Sequence, residues 1–134
     1  MPLNTDTLVS TKLRPSQVRP KLVARPRLIA RLERDAGRKL TLLSAPAGFG
    51  KTTLLVEWSR EVAGDEGSVA WLSLDEGDND LTRFLTYLVA ALRSVEEDIG
   101  AGVLSALRSP ELPHIETITA AVINELAALP ESLR

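Results

Sequence analysis

Residues 39–55 read KLTLLSAPAGFGKTTLL: a compact apolar run, then a loop of small residues, then the start of a second apolar pattern. The run Leu40–Ser44 has a glycine before it and a proline after it. A short apolar run bounded in this way is typical of a buried strand. From Lys51 onward the apolar side chains fall on one helical face, and this pattern predicts a helix that ends near Gly64. The stretch therefore predicts a strand, a loop and a helix in direct succession.

The loop Ala45–Thr52, APAGFGKT, fits the phosphate-binding P-loop pattern, with alanine where the usual pattern has its first glycine. Gly48 and Gly50 permit the backbone angles that turn successive amides inward, and the positive end of the helix points at the same place. The predicted nucleotide-binding residues are Ala45, Pro46, Ala47, Gly48, Phe49, Gly50, Lys51, Thr52 and Thr53.

Each polar residue of this loop has an expected role. Lys51 would neutralise the β- and γ-phosphates of ATP or ADP, and the Thr52 hydroxyl would take one position of a bound Mg²⁺. Thr53 would reach the α-phosphate, while Phe49 would cover the loop. The alternative is a glycine-rich turn with an incidental lysine.

The remainder of the chain alternates in the same way. Val69–Leu74 predicts a second strand, and amphipathic helices are predicted over Leu81–Val95 and Ile115–Leu129. A shorter helix, with Asp98 as its N-cap, is predicted between them. Alternating strands and helices indicate an α/β domain with parallel strands flanked by helices. We therefore expect a three-layer P-loop NTPase fold, with a short helix at Arg27–Gly37 ahead of the first strand.

The acids Asp75 and Glu76 directly follow the second predicted strand and allow two interpretations. A P-loop ATPase needs acids at a strand end to hold magnesium and orient water. These acids, however, open an Asp/Asn/Gly turn close in sequence to the loop, a pattern typical of helix capping. Both interpretations stay open, and no catalytic residue is assigned.

Charge and composition limit the classes of protein to which the chain can belong. The 134 residues include no cysteine and are 44% hydrophobic, which excludes disulfide scaffolds and thiolate metal sites and favours a globular domain. No apolar run is long enough for a membrane span, and a cytoplasmic location is the expectation. Residues 1–60 carry 12 basic and 4 acidic side chains, whereas residues 61–134 carry 4 basic and 14 acidic ones.

Residues 1–26, with four prolines, are expected to form an extended basic arm ahead of the domain at 27–134. Ten basic residues and two acids between Lys12 and Lys39 also suggest a rival function, a nucleic-acid-binding module. Two observations count against this function. Prolines would interrupt any recognition helix in the segment, and the segment has no aromatic residue that could stack on bases.

Three segments together carry a resemblance to a known family: TKLRP at residues 11–15, RPRLIARL at residues 25–32 and WLSLDEGDND at residues 71–80. With APAGFGKT, the sequence resembles the start of the ATPase domain of the MalT/LuxR-type ATP-dependent transcriptional regulators. These regulators are signal-transduction ATPases with numerous domains. The resemblance extends from about Thr11 to the end of the chain.

The resemblance implies an ATPase core followed by a winged-helix segment, an inducer-sensing repeat domain and a C-terminal helix-turn-helix. It implies that Ala45–Thr52 carry the nucleotide phosphates and that Val23 and Arg25 lie near the adenine. The sequence stops before the family's acidic magnesium-binding strand, so we expect a truncated domain that does not hydrolyse ATP alone. DNA would be bound only through the helix-turn-helix absent here, and self-association or association with a full-length homologue is a further expectation.

Overall fold

The computed structural model describes residues 8–17, 23–64, 69–111 and 113–129. Within these ranges the α-helices are α1 (Pro26–Arg34), α2 (Lys51–Gly64), α3 (Leu81–Arg93), α4 (Ala101–Leu107) and α5 (Ile115–Ala127), with 3₁₀ turns at Ser10–Leu13 and Glu76–Asn79. The described residues divide into two compact units. The loop unit is drawn from residues 16–69, and the helical unit from residues 8–15 and 70–129.

The α/β prediction is wrong. Neither Leu40–Ser44 nor Val69–Leu74 forms a strand, and no residue in the described ranges belongs to a sheet. The described chain is built from helices, turns and irregular segments. The expected incomplete three-layer P-loop fold with parallel strands is therefore not what this sequence forms in the structure.

The physical reason is the lack of backbone partners. A strand is stable only when its N–H and C=O groups pair with a neighbouring strand. Leu40 and Leu42 are 82% and 85% exposed, so the first apolar run is not buried. In the second run, the Ser73 N–H donates to the Lys12 carbonyl at 2.9 Å, but no ladder follows. Apolar composition predicted burial that the local surroundings do not provide.

In the loop unit, α1 packs against α2. Pro26 occupies the first turn of α1, as predicted, because its fixed φ suits that position and its missing N–H is not needed there. Ile29 of α1 is 5% exposed, and Leu54 and Val56 of α2 are equally buried. The predicted helices at the start and after the loop are confirmed.

In the helical unit, α4 packs between α3 and α5. Asp80 caps α3, and its carboxylate accepts a hydrogen bond from the Arg83 N–H at 2.8 Å. The apolar faces predicted for these helices pack together into one contiguous core. Its buried members are Leu85, Val89, Val103, Leu104, Leu107, Ile118 and Val122. The amphipathic patterns of α3 and α5 are confirmed. None of the helices in the described ranges is long and apolar enough to cross a membrane.

The start of α4 differs from the prediction. Asp98 was expected to cap this helix, but the residue at the N-cap position is Gly100, with a left-handed φ of +73°. The Gly100 N–H donates to the Glu125 carboxylate of α5 instead. The chain reverses direction here through a backbone conformation that glycine adopts most easily, so the cap lies two residues later than expected.

The predicted arm is also not extended throughout. Ser10–Leu13 forms a 3₁₀ turn that contacts α3, and Lys12 within it is 8% exposed. Ion pairing, described below, accounts for the burial of this lysine. The domain boundary at residue 26 stays a prediction, and the prolines at positions 2 and 20 lie outside the described residues.

Candidate functional site

The candidate phosphate site is the irregular loop Ala45–Gly50 together with the first turn of α2. Gly48 has φ +87° and Gly50 has φ +78°, so both glycines use the left-handed region. The Gly50 carbonyl accepts the first helical hydrogen bond from the Leu54 N–H at 2.9 Å. The helix therefore begins directly after the second left-handed residue. The amides that follow belong to the first turn of α2. N–H groups in the first turn of a helix have no carbonyl partner within the helix, because no helical turn precedes them.

Two cationic side chains contact this loop through its carbonyl oxygens. The Lys51 ammonium donates to the Ala45 carbonyl and lies 3.4 Å from the Pro46 carbonyl. The Arg25 guanidinium donates to the Phe49 carbonyl at 2.8 Å. A phosphate at the loop would meet both positive charges, but Lys51 must first exchange its carbonyl contacts for phosphate oxygens.

The structure brings together most of the residues predicted for the site. Ala45 is half-buried, and the residues from Pro46 to Phe49 are exposed, with Phe49 at 61%. In the first turn of α2, Thr52 is exposed and Thr53 is half-buried. Val23 is 82% exposed, and no hydrogen bond within the described ranges joins it to the loop.

The Arg25 side chain also lies close to Gly50. A Cβ atom at Gly50 would lie 3.2 Å from an Arg25 guanidinium nitrogen, and the positive φ would disfavour any side chain. Because the two residues are 25 positions apart, spacing alone could not reveal this contact. The resemblance of the segment at residues 25–32 was the one signal that pointed toward it.

A second polar cluster, in the helical unit, was not anticipated. The Lys12 ammonium lies 2.9 Å from an Asp75 carboxylate oxygen and 2.5 Å from one of Asp78. It also lies 4.4 Å from the centre of the Tyr87 ring, a cation–π distance. Arg83 approaches the same two acids at 3.5 and 3.6 Å. We call these five residues the Lys12 cluster.

Hydrogen bonds within the acidic turn support one of its two interpretations. The Asp75 side chain accepts from the Gly77 N–H at 2.8 Å, and the Asp78 carboxylate accepts from the Asp75 N–H at 2.7 Å. This reciprocal pair is a capping box, so the capping interpretation is confirmed. The described ranges contain no grouping of three or more acids, histidines or cysteines arranged to hold a metal.

The same contacts shift the ionisation of the cluster. The hydrogen bond from Lys12, aided by backbone N–H groups, lowers the pKa of Asp75 and of Asp78 below the ordinary value of 3.8. Partial desolvation disfavours the charged ammonium, but the hydrogen bonds to Asp78 and Asp75 outweigh it, so the pKa of Lys12 is raised above 10.5.

These shifts predict how the stability of the helical unit depends on pH. The two carboxylates stabilise the folded unit above pH 3.8, and this contribution is lost as the pH falls through their lowered pKa values. Lys12 contributes below pH 10.5 and loses its effect as the pH rises through its raised pKa. In a Trp58→Phe background, Trp71 fluorescence reports the helical unit, and its melting temperature should fall toward both extremes.

The matched variant for this test is Lys12→Met, which keeps the length of the side chain and removes the charge. Its melting temperature should depend less on pH below pH 3.8, because the acids have lost the partner that lowers their pKa. An unchanged pH profile in this variant would contradict the assignment of the cluster.

Comparison with known proteins indicates the kinds of protein to which this chain is similar. No family model and no solved structure matches the chain. Curated sequences do match, and they include a transcriptional regulator and a protein kinase. In each case the similarity covers 64% of this chain but less than a tenth of the relative, so the chain spans only a small part of those proteins.

The particular relatives are the HTH-type transcriptional regulator MalT and the serine/threonine-protein kinase PknK. MalT of Yersinia pestis (strain Pestoides F) is 45% identical over 87 residues, which is 9% of its length. MalT of Yersinia pseudotuberculosis serotype O:3 has the same identity and coverage. PknK of Mycobacterium tuberculosis is 43% identical over 86 residues, 8% of its length. The resemblance to MalT-type transcriptional regulators is thereby confirmed.

Proposed function

We propose that the chain is the nucleotide-binding part of a MalT-like transcriptional regulator and that it binds ATP or ADP with Mg²⁺ at Ala45–Thr53. The observation that carries this proposal is the pair of left-handed glycines, Gly48 and Gly50, directly before the helix that begins at Lys51. Such a backbone directs amide groups toward one point, and the helix N-terminus adds a partial positive charge there. The proposal needs no sheet beneath the loop.

In this proposal the backbone amides of Ala47–Thr52 hold the phosphates. Lys51 leaves the carbonyls of the loop and pairs with the β- and γ-phosphates, for which a long, mobile ammonium is suited. The exposed Thr52 hydroxyl is one Mg²⁺ ligand, which suits an ion that keeps several waters. Thr53 reaches the α-phosphate. Arg25, already bonded to the loop, and Val23 lie near the adenine.

The similarity to differently named proteins supports a role shared by both. A stretch common to a transcriptional regulator and a protein kinase is more simply a regulatory module than the part that binds DNA or transfers phosphate. The same proposal includes DNA binding through a helix-turn-helix elsewhere in the protein, association with a full-length homologue and a cytoplasmic location. It does not include ATP hydrolysis by these residues alone.

A Thr52→Val variant tests the magnesium part of the proposal. Isothermal titration with ATP and ADP should give tighter binding to the parent protein with Mg²⁺ than with EDTA. The variant should lose about tenfold of the affinity measured with Mg²⁺, because a ligand is missing, and keep the affinity measured in EDTA. Thr52→Ser is the matched control and should restore the effect of Mg²⁺. If the parent protein binds neither nucleotide, the proposed function fails as a whole.

Nucleic-acid binding remains a second candidate because of one cavity in the loop unit. Arg31, Arg34 and Arg38 line a cavity of about 620 Å³, with Asp35 bonded to Arg38. A cluster of arginines at a helix end suits phosphate groups. Binding of random duplex DNA with a steep dependence on salt, and without any response to ATP, would favour this candidate.

A further inference from the structure

The helical unit contains a cavity that the nucleotide site does not explain. It lies between the segment at residues 8–13, the end of α3 and the length of α4, and its volume is about 730 Å³. This is within the roughly 300–1,000 Å³ of typical small-molecule sites. The phosphate loop belongs to the other unit, so neither site depends on the other for its lining.

Part of the cavity wall is apolar. Leu8 and Leu13 come from the N-terminal segment, and Leu104 comes from α4. Leu104 is 8% exposed and belongs to the hydrophobic core, so this wall is the outer surface of the core itself. Two alanines, Ala90 and Ala101, complete the wall without filling the space. An alkyl chain placed here would bury its surface against side chains that are already ordered.

Two cationic side chains also line the cavity. Arg93, the last residue of α3, and Arg108, the C-cap of α4, belong to its lining, and none of the acidic side chains that the structure describes does. Within the described ranges neither arginine forms an ion pair, although Arg83 on the same helix as Arg93 pairs with two acids. Two guanidinium groups that share a cavity repel each other, and an anion between them would remove that repulsion.

Hydroxyl groups complete the lining of the cavity. Ser10 and Ser105 line the cavity and can donate to an oxygen of a bound anion. The Ser94 hydroxyl is already committed to the Ala91 carbonyl at 2.6 Å. The lining thus combines leucine, serine and arginine side chains, and this combination suits a molecule with an apolar body and an anionic head.

We propose that this cavity binds a small amphiphilic anion, with its alkyl body against Leu13 and Leu104 and its carboxylate or phosphate between Arg93 and Arg108. The guanidinium groups form paired hydrogen bonds to either head group. Residues 8–13 both line the cavity and carry Lys12, so an occupant stabilises the folded helical unit through the same segment as the Lys12 cluster.

The test uses the whole chain and three probes of equal alkyl length: octanoate, octyl phosphate and octanol. Titration calorimetry should show binding of at least one anion, with octanol at least about tenfold weaker because it cannot pair with the arginines. The ratio of octanoate to octyl phosphate affinity distinguishes a carboxylate site from a phosphate site. In the Trp58→Phe background, the bound anion should raise the melting temperature reported by Trp71.

Variants locate the binding. Arg93→Gln with Arg108→Gln should weaken the anion at least about tenfold and leave octanol unchanged. Ser105→Phe, at an exposed position, should obstruct the cavity and reduce binding of all three probes. Arg60→Gln, exposed on α2 of the loop unit, is the charge-matched control and should have no effect.

Two results would overturn the proposal: no binding of either anion to the folded parent chain at millimolar concentration, or equal affinity in the double arginine variant. Lys51→Ala should leave octanoate binding unchanged. The outcome for this cavity is therefore independent of the outcome for the nucleotide site.

Discussion

Lys51→Ala should weaken ATP and ADP binding by about 10- to 150-fold. An ammonium–phosphate hydrogen bond contributes about 1.5–3 kcal/mol, and alanine leaves the phosphate charge facing only the backbone amides and Arg25. The effect should be large because Lys51 is the one ammonium group seen in contact with the loop among the described residues. Titration calorimetry or a fluorescent nucleotide analogue measures it directly.

The matched control is Lys39→Ala, which removes the same charge from an exposed position in the same unit. Its effect should be small, because an exposed charge distant from the ligand is screened by salt. Circular dichroism should show equal helix content in both variants. If Lys51→Ala binds ATP as tightly as the parent chain, the assignment of the phosphate site is wrong. If both variants lose affinity equally, general charge attraction explains the binding.

Gly100→Ala should destabilise the helical unit by about 2–4 kcal/mol. The left-handed φ of +73° disfavours any side chain, and the new Cβ would overlap a methyl group of Val89. Val89 is fully buried in the core, so neither its side chain nor the turn can move freely. The hydrogen bond from Gly100 to Glu125 would be strained at the same time. Urea unfolding followed by Trp71 in a Trp58→Phe background measures the loss.

The matched control is Gly102→Ala, two residues later and inside α4. Its Cβ would have only a Glu125 oxygen nearby, at 3.9 Å, and alanine favours a helix interior over glycine by about 0.5–1 kcal/mol. This variant should be neutral or slightly more stable. Equal destabilisation by both substitutions would show that α4 rejects any added side chain and that the turn at Gly100 is not special. Unfolding of the loop unit, followed by Trp58 in a Trp71→Phe background, shows whether the change is local.

The helices were predictable because their information is local. Pro26 set the start of α1, Asp80 the start of α3, and the spacing of apolar residues set the buried faces of α3 and α5. The strands failed for the opposite reason. An apolar run such as Leu40–Ser44 indicates only that burial would be favourable, whereas a strand exists only if another backbone lies beside it.

The sequence by itself therefore determined the helices, the glycine-rich loop ahead of α2 and the resemblance to MalT-type regulators, because each is carried by residues close together in the chain. The tertiary structure alone decided where distant charges meet. Lys12 pairs with acids more than 60 positions away, and Arg25 reaches the loop carbonyl of Phe49. Such pairs depend on how the chain folds back on itself. The spacing of charges does not specify that path, because an exposed charge and a paired one look alike in sequence.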